Sequence, residues 1–179
     1  MRRALAAAAA AALLAGCGGD DGDRLEAGDL PAAPARLHVS SPAFIEGARL
    51  QPKYTCDGAG EEPVVRAGTV PVASRELVLV MSDADAPGGT FVHVTRYGLP
   101  ARGSGEVSAG GRTGRNSAGG TGWTPPCPPE GDGPHRYSWA VYALREPSDL
   151  PAGAAPADVA AALRSGVIAN GTLTARYAR

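Results

Sequence analysis

Apolar residues in this chain fall into short runs, many with a period of two, broken by glycine, proline and acidic turns. That pattern predicts a mainly β protein. The clearest run, Leu77-Val78-Leu79-Val80-Met81, is continuous and of strand length, as expected of a strand covered on both faces. It stops at Asp83 and Asp85, and Pro87-Gly88-Gly89 then forces a turn. Thr90 to Tyr97 resumes as a strand. Strict alternation would place Phe91, His93, Thr95 and Tyr97 on one face and Val92 and Val94 on the other. Tyr137 to Leu144 is a third strand, with Tyr137, Trp139 and Val141 on one face and His135 preceding them in the same register. Leu37 and Val39 alternate near the start, Phe44 and Ile45 follow a Ser-Pro turn, and Leu173 to Tyr177 alternate at the end. Pro156 to Arg164 predicts the one helix: Pro156 suits a first turn, Val159, Ala162 and Leu163 form its stripe, and Gly166 can cap it. Residues 101–124 carry no hydrophobic period and read as a long loop, functional or mobile. Trp123, Trp139 and Tyr142 are expected in the core.

The first 35 residues follow different rules. Arg2 and Arg3 precede the apolar stretch Ala4 to Leu13, which is shorter than the roughly 20 residues a membrane-spanning helix needs and fits a cleaved secretory signal. Leu14-Ala15-Gly16-Cys17 resembles the bacterial lipoprotein box, whose cysteine receives the lipid; the alternative is ordinary cleavage near Cys17 without lipid. Residues 18–35, mostly Gly, Asp, Ala and Pro, cannot bury enough apolar surface to order themselves and read as a tether. The expected organisation is therefore a leader at 1–16, a lipid-anchored tether at 17–35 and one domain at 36–179, on the extracytoplasmic side of a bacterial cell-envelope membrane. Losing Arg2 and Arg3 with the leader takes the formal charge from −1 to −3, which argues against nucleic-acid binding. Cys56 and Cys127 remain, an even number in an exported chain, each within a Pro/Gly-rich segment. A Cys56–Cys127 disulfide is the expected reading, with two free thiols as the alternative.

The candidate chemistry lies at strand ends. Asp83, Asp85 and His93 flank the acidic turn, so local geometry alone brings them together. His135 and Tyr137, two apart on an extended segment, point the same way. Two imidazoles and a phenol supply hydrogen-bond donors for a phosphate-like anion, and Asp83 could orient one imidazole and favour its charged form. Pro87 and Pro128-Pro129 would then form apolar walls. Asp85 could equally cap the turn before Pro87, and Arg136, on the opposite face from His135, suits a structural salt bridge. The competing reading is a metal-dependent or phosphoester hydrolase built on the same Asp/His cluster. No His-x-x-x-His, Cys-x-x-Cys or Gly-x-Ser-x-Gly spacing supports it, and no cofactor is expected.

The order Asp83-Ala84-Asp85-Ala86-Pro87, His93, then Gly133-Pro134-His135-Arg136-Tyr137 resembles the phosphatidylethanolamine-binding protein family, including its bacterial Raf-kinase-inhibitor-like members. Tyr54-Thr55-Cys56-Asp57-Gly58, Tyr97-Gly98-Leu99-Pro100 and Cys127-Pro128-Pro129 extend the likeness over roughly residues 37–178. The resemblance implies a β-sandwich-like domain with a large central sheet and a few peripheral helices. It also implies an anion pocket at Asp83, Asp85, Pro87, His93, His135 and Tyr137 for a phosphate-bearing small molecule or phospholipid head group, without a metal. The family name suggests phosphatidylethanolamine binding, kinase regulation or protease inhibition, so a protein partner is conceivable and unnamed. Two departures stand near the expected pocket rim: Glu62-Pro63-Val64-Val65-Arg66-Ala67 replaces a Ser-Pro-Pro stretch leading to tryptophan, and Val94 replaces an aromatic residue after the histidine.

Overall fold

The computed structural model describes residues 30–179; the leader, Cys17 and residues 18–29 lie outside the described residues. Among the described residues, nine strands and one α-helix follow in chain order, with a short 3-10 turn at Pro52–Tyr54: β1 (Ala35–Arg36), β2 (Val39–Ser40), β3 (Arg66–Ala67), β4 (Glu76–Asp83), β5 (Phe91–Pro100), β6 (Gly105–Glu106), β7 (Arg112–Thr113), β8 (His135–Leu144), α1 (Pro156–Gly166) and β9 (Val167–Tyr177). A six-stranded sheet runs β1-β9-β8-β4-β5-β7 and a three-stranded sheet runs β2-β3-β6. Only β1 lies parallel to its neighbour; every other pairing is antiparallel.

The continuous apolar run became β4, buried along its whole length, because it lies between two cores. Leu77, Leu79 and Met81 face the smaller sheet with Val65, Ala67, Val107, Trp139 and Val141. Val78 and Val80 face the helix with Ala140, Tyr142, Val159, Ala160 and Leu163. The mainly β composition expected from the pattern and the sandwich-like sheets that the resemblance implies are both observed.

Several local expectations are corrected. Strict alternation fails in β5, which carries extra residues at two points: Met81 pairs with Val94 but Ser82 with Val92, and Leu79 pairs with Arg96 but Leu77 with Leu99. The first bulge turns His93 onto the same face as Val94, while Val92 joins Tyr97 in the helix-side core. The supposed loop 101–124 contains β6 and β7 and is pinned by polar contacts instead of a hydrophobic period. Buried Asn116 donates to the Gly122 carbonyl and accepts from the Ala118 and Gly120 amides. Helix α1 runs to Gly166 and buries Ala160 in place of Ala162. Gly166 is not left-handed; the chain enters β9 directly, and the Arg145 amide satisfies the Gly166 carbonyl. Phe44 is buried against Trp139 at 4.7 Å between ring centroids, whereas Ile45 is 77% exposed. Trp123 is only half-buried, its indole N–H donating to the Gly60 carbonyl at 2.8 Å. Val94 is in the sandwich core and Arg66–Ala67 form β3, so neither departure from the family pattern sits where a simple rim would place it.

Candidate functional site

The antiparallel order β5-β4-β8 brings the end of β4 beside the starts of β5 and β8, so residues up to 54 positions apart share one sheet end. Asp83 pairs in register with Tyr137 on one side and with Phe91 on the other. Odd-numbered positions of β4 and β8 face the sandwich, which aims Asp83, His135 and Tyr137 to the same side; the β5 bulge adds His93. The His93 ring lies 5.5 Å from Tyr137 and 4.8 Å from Phe91, and the His135 ring stacks on Tyr137 at 6.4 Å. Asp83, His93, His135 and Tyr137 are each at most 4% exposed.

The two histidines are held differently. His135 Nδ1 lies 2.7 Å from Asp83 Oδ2, and its Nε2 lies 3.3 Å from Asp132 Oδ2. Burial alone would depress its pKa, but the two carboxylates outweigh that and hold it above the ordinary histidine value. An imidazolium donates at both nitrogens, which is the form this placement satisfies. His93 Nδ1 lies 2.8 Å from the Thr124 carbonyl, and burial pulls its pKa down to about 4 against the weaker pull of that bond and of Asp83. The Tyr137 hydroxyl is buried and makes no well-formed hydrogen bond, its polar neighbour being the Asp83 carboxylate; burial first, then the charge of Asp83 and its pull on the hydroxyl proton, keep the phenol protonated well above its ordinary range.

Other expected members take different positions. Asp85 accepts from the Arg136 amide at 2.8 Å and from its guanidinium at 2.8 and 2.7 Å, and this fork holds its pKa down at about 2. The turn itself is capped by Asp83, whose Oδ1 accepts from the Asp85 amide. Pro87 is exposed on that turn, Pro128 is buried and Pro129 exposed. Four cavities of 270–500 Å³ are lined by other residues; one of about 500 Å³ adjoins the cluster through Pro134 and Tyr177, the chain and register neighbours of His135. The cluster is thus almost wholly buried, with the half-exposed Asp132 on its outer side.

Sequence reasoning missed Asp132 and Thr124. Asp132 stands three residues before His135 in a glycine-proline turn, a spacing that could have flagged it. Thr124 contributes a backbone carbonyl, which no residue type advertises. Its segment is anchored by the disulfide Cys56–Cys127, by the Cys56 amide donating to Pro126 O, and by the Thr124 amide donating to His93 O. Among the described residues, no group of three or more His, Cys, Asp or Glu side chains is arranged to hold a metal ion.

Residues 40–178 match the family model described as phosphatidylethanolamine-binding protein. The chain is similar to the Mycobacterium tuberculosis protein named "Putative lipoprotein LppC", at 37% identity over 84% of this chain and 82% of that one. It is also similar to a UPF0098 protein of Aquifex aeolicus, at 36% identity over 83% and 92%. Among solved structures, Escherichia coli YbcL, titled a new member of the mammalian PEBP family, superposes with a TM-score of 0.72 at 29% identity, over 81% of this chain and 99% of that one.

Proposed function

Because this chain belongs to the phosphatidylethanolamine-binding protein family, we propose that it is a binding protein whose Asp83, His93, His135 and Tyr137 cluster takes a phosphate-type oxyanion, free or on a lipid head group. The observation that carries this reading is the Tyr137 hydroxyl, buried without a well-formed hydrogen bond beside the Asp83–His135 pair. A buried hydroxyl left unsatisfied costs about 1–3 kcal/mol, and a ligand oxygen would recover that. The test is thermal stabilisation by inorganic phosphate. Saturating stabilisation that disappears in His135→Ala and weakens in Tyr137→Phe supports the site, with about 2.7 kcal/mol gained at a hundredfold excess over Kd. Equal stabilisation of wild type and His135→Ala would place any phosphate elsewhere. Turnover of a phosphomonoester that depends on His135 would favour the hydrolase reading instead.

The same proposal places the domain on a membrane by an N-terminal lipid at Cys17, on the extracytoplasmic side, with a tether that ends before the expected residue 35, because Leu30 packs on the helix-side core and Ala35 belongs to β1. A relative named as a lipoprotein supports it. Among the described residues, no helix is long and apolar enough to cross a membrane. Replacing Cys17 by Ser should move the protein out of the membrane fraction; retention there would refute lipid anchoring at this residue.

A further inference from the structure

We infer that the oxyanion taken by this cluster brings its own proton: a hydrogen phosphate, free or as a monoester, whose O–H donates to Nε2 of His93. This rests on the ligand site proposed above and narrows its chemistry. His93 Nδ1 faces the Thr124 carbonyl at 2.8 Å. A carbonyl only accepts, so Nδ1 carries the hydrogen and Nε2 presents a lone pair. Nε2 has no hydrogen-bond partner among the described residues. A second ring proton is disfavoured because the ring is 4% exposed and packed by Phe91, Trp123 and Tyr137. His93 is therefore an acceptor, the reverse of the donor role its residue type suggested.

The charges around it point the same way. From β4 comes Asp83, from β8 His135 and the Tyr137 hydroxyl, from the preceding turn Asp132, and from the loop before Cys127 the Thr124 carbonyl. Asp85 and Arg136 cancel each other. Two carboxylates face one imidazolium, so the cluster is net negative by one charge before any ligand arrives. A monoester dianion would meet that excess and put an oxygen lone pair against the lone pair of Nε2, and inorganic HPO4²⁻, although it keeps one O–H, would bring twice the charge of the monoanion. The monoanion carries half the charge and an O–H, and its other oxygens can accept from Tyr137. A phosphodiester is also a monoanion but has no proton to give, so the acceptor-against-acceptor contact remains.

The experiment titrates the full chain with inorganic phosphate, methyl phosphate and dimethyl phosphate from pH 5.5 to 7.5 at constant ionic strength. The diester keeps its charge throughout, so its profile reports His135 alone. At pH 5.5 methyl phosphate or inorganic phosphate should bind at least about tenfold more tightly than the diester. Above the second ionisation of the monoester, near pH 6, the advantage of methyl phosphate should shrink by up to about tenfold per pH unit. Binding by inorganic phosphate alone assigns a free ion, and binding by both assigns either source; each supports the inference. Diester binding equal to monoester binding, or a methyl phosphate advantage that does not follow its ionisation, overturns it while leaving the oxyanion site standing if His135→Ala abolishes both. No saturable binding of any of the three overturns both. Nitrogen NMR of the histidine rings at pH 7 needs no variant: a bare Nε2 and protonated Nδ1 at His93 are expected, and a doubly protonated ring refutes the inference.

Discussion

One histidine wedged between two carboxylates and another packed against a carbonyl should respond to acid in opposite senses. His135 has a raised folded pKa, so its contribution to stability is complete below the unfolded value of about 6.5 and fades as pH rises through the folded one. His93 has a folded pKa near 4; between that value and 6.5 the unfolded chain binds a proton that the folded chain refuses. Its penalty is absent above pH 6.5 and grows as pH falls, to about 2 kcal/mol by pH 5. His93→Asn retains a donor for the Thr124 carbonyl and removes the titration. Urea unfolding should therefore show the variant losing about 2 kcal/mol less than wild type between pH 7 and pH 5. Parallel losses would mean His93 is not held neutral. At the partner position, Asp83→Asn strands His135 with Asp132 alone, 3.3 Å away on an exposed turn. A buried charge that loses its main partner costs about 3 kcal/mol, and the His135 pKa should drop in the same variant, readable by NMR.

Backbone approach, more than side-chain chemistry, decides where the elements tolerate change. Gly171 lies mid-way along β9, opposite Val141, where the segment after β1 crosses it and the Leu37 amide donates to Asn170 O. A Cβ there would stand 2.0 Å from the Leu37 carbonyl oxygen, a backbone atom that cannot give way without disturbing the pairing of β1 with β9. Gly171→Ala should cost about 2 kcal/mol or more, while Gly166→Ala, with open space around its Cβ and an ordinary backbone angle at the end of α1, should gain a few tenths to about 1 kcal/mol. Chemical denaturation distinguishes them, and equal effects would contradict the crossing geometry. The same contrast explains what the chain disclosed beforehand. β4, β8 and α1 were legible because each carries its own hydrophobic period over eight or more residues. The five two-residue strands exist only through their pairing, which no local pattern records. Strand parity put His135 and Tyr137 on one face, as observed, but only the family resemblance joined Asp83 to them, because no local pattern records that β4 lies beside β8. The true face of His93 was not legible, because a bulge is defined by the partner's register.

At the scale of the molecule, one wall of the site is a strip outside both sheets, joined to β5 by the Thr124 amide bond to His93 O and otherwise held by ties to another loop. Residues 123–127 cross the open end of the sheet and are tied to residues 56–60 by the Trp123 indole bond to Gly60 O, the Cys56 amide bond to Pro126 O and the disulfide between Cys56 and Cys127. Thr124, which fixes the His93 tautomer, lies within this strip. The disulfide closes a loop with a sequence separation of 71, worth about 4 kcal/mol in the chain-entropy account. Both cysteines are exposed, so a reductant can reach the bond without unfolding the domain. For a domain of this size each kcal/mol shifts Tm by roughly 2–4 °C, so reduction should lower Tm by roughly 10 °C. Cys56→Ala, Cys127→Ala and the double variant should all show the loss seen on reduction, because each removes the same bond and the free thiol left in either single variant has no other described cysteine to join. Trp123 fluorescence should report loosening of the strip in the folded, reduced protein before global melting. A reduced protein that melts within a degree of the oxidised one, with Trp123 unchanged, would show that the polar ties alone hold the wall.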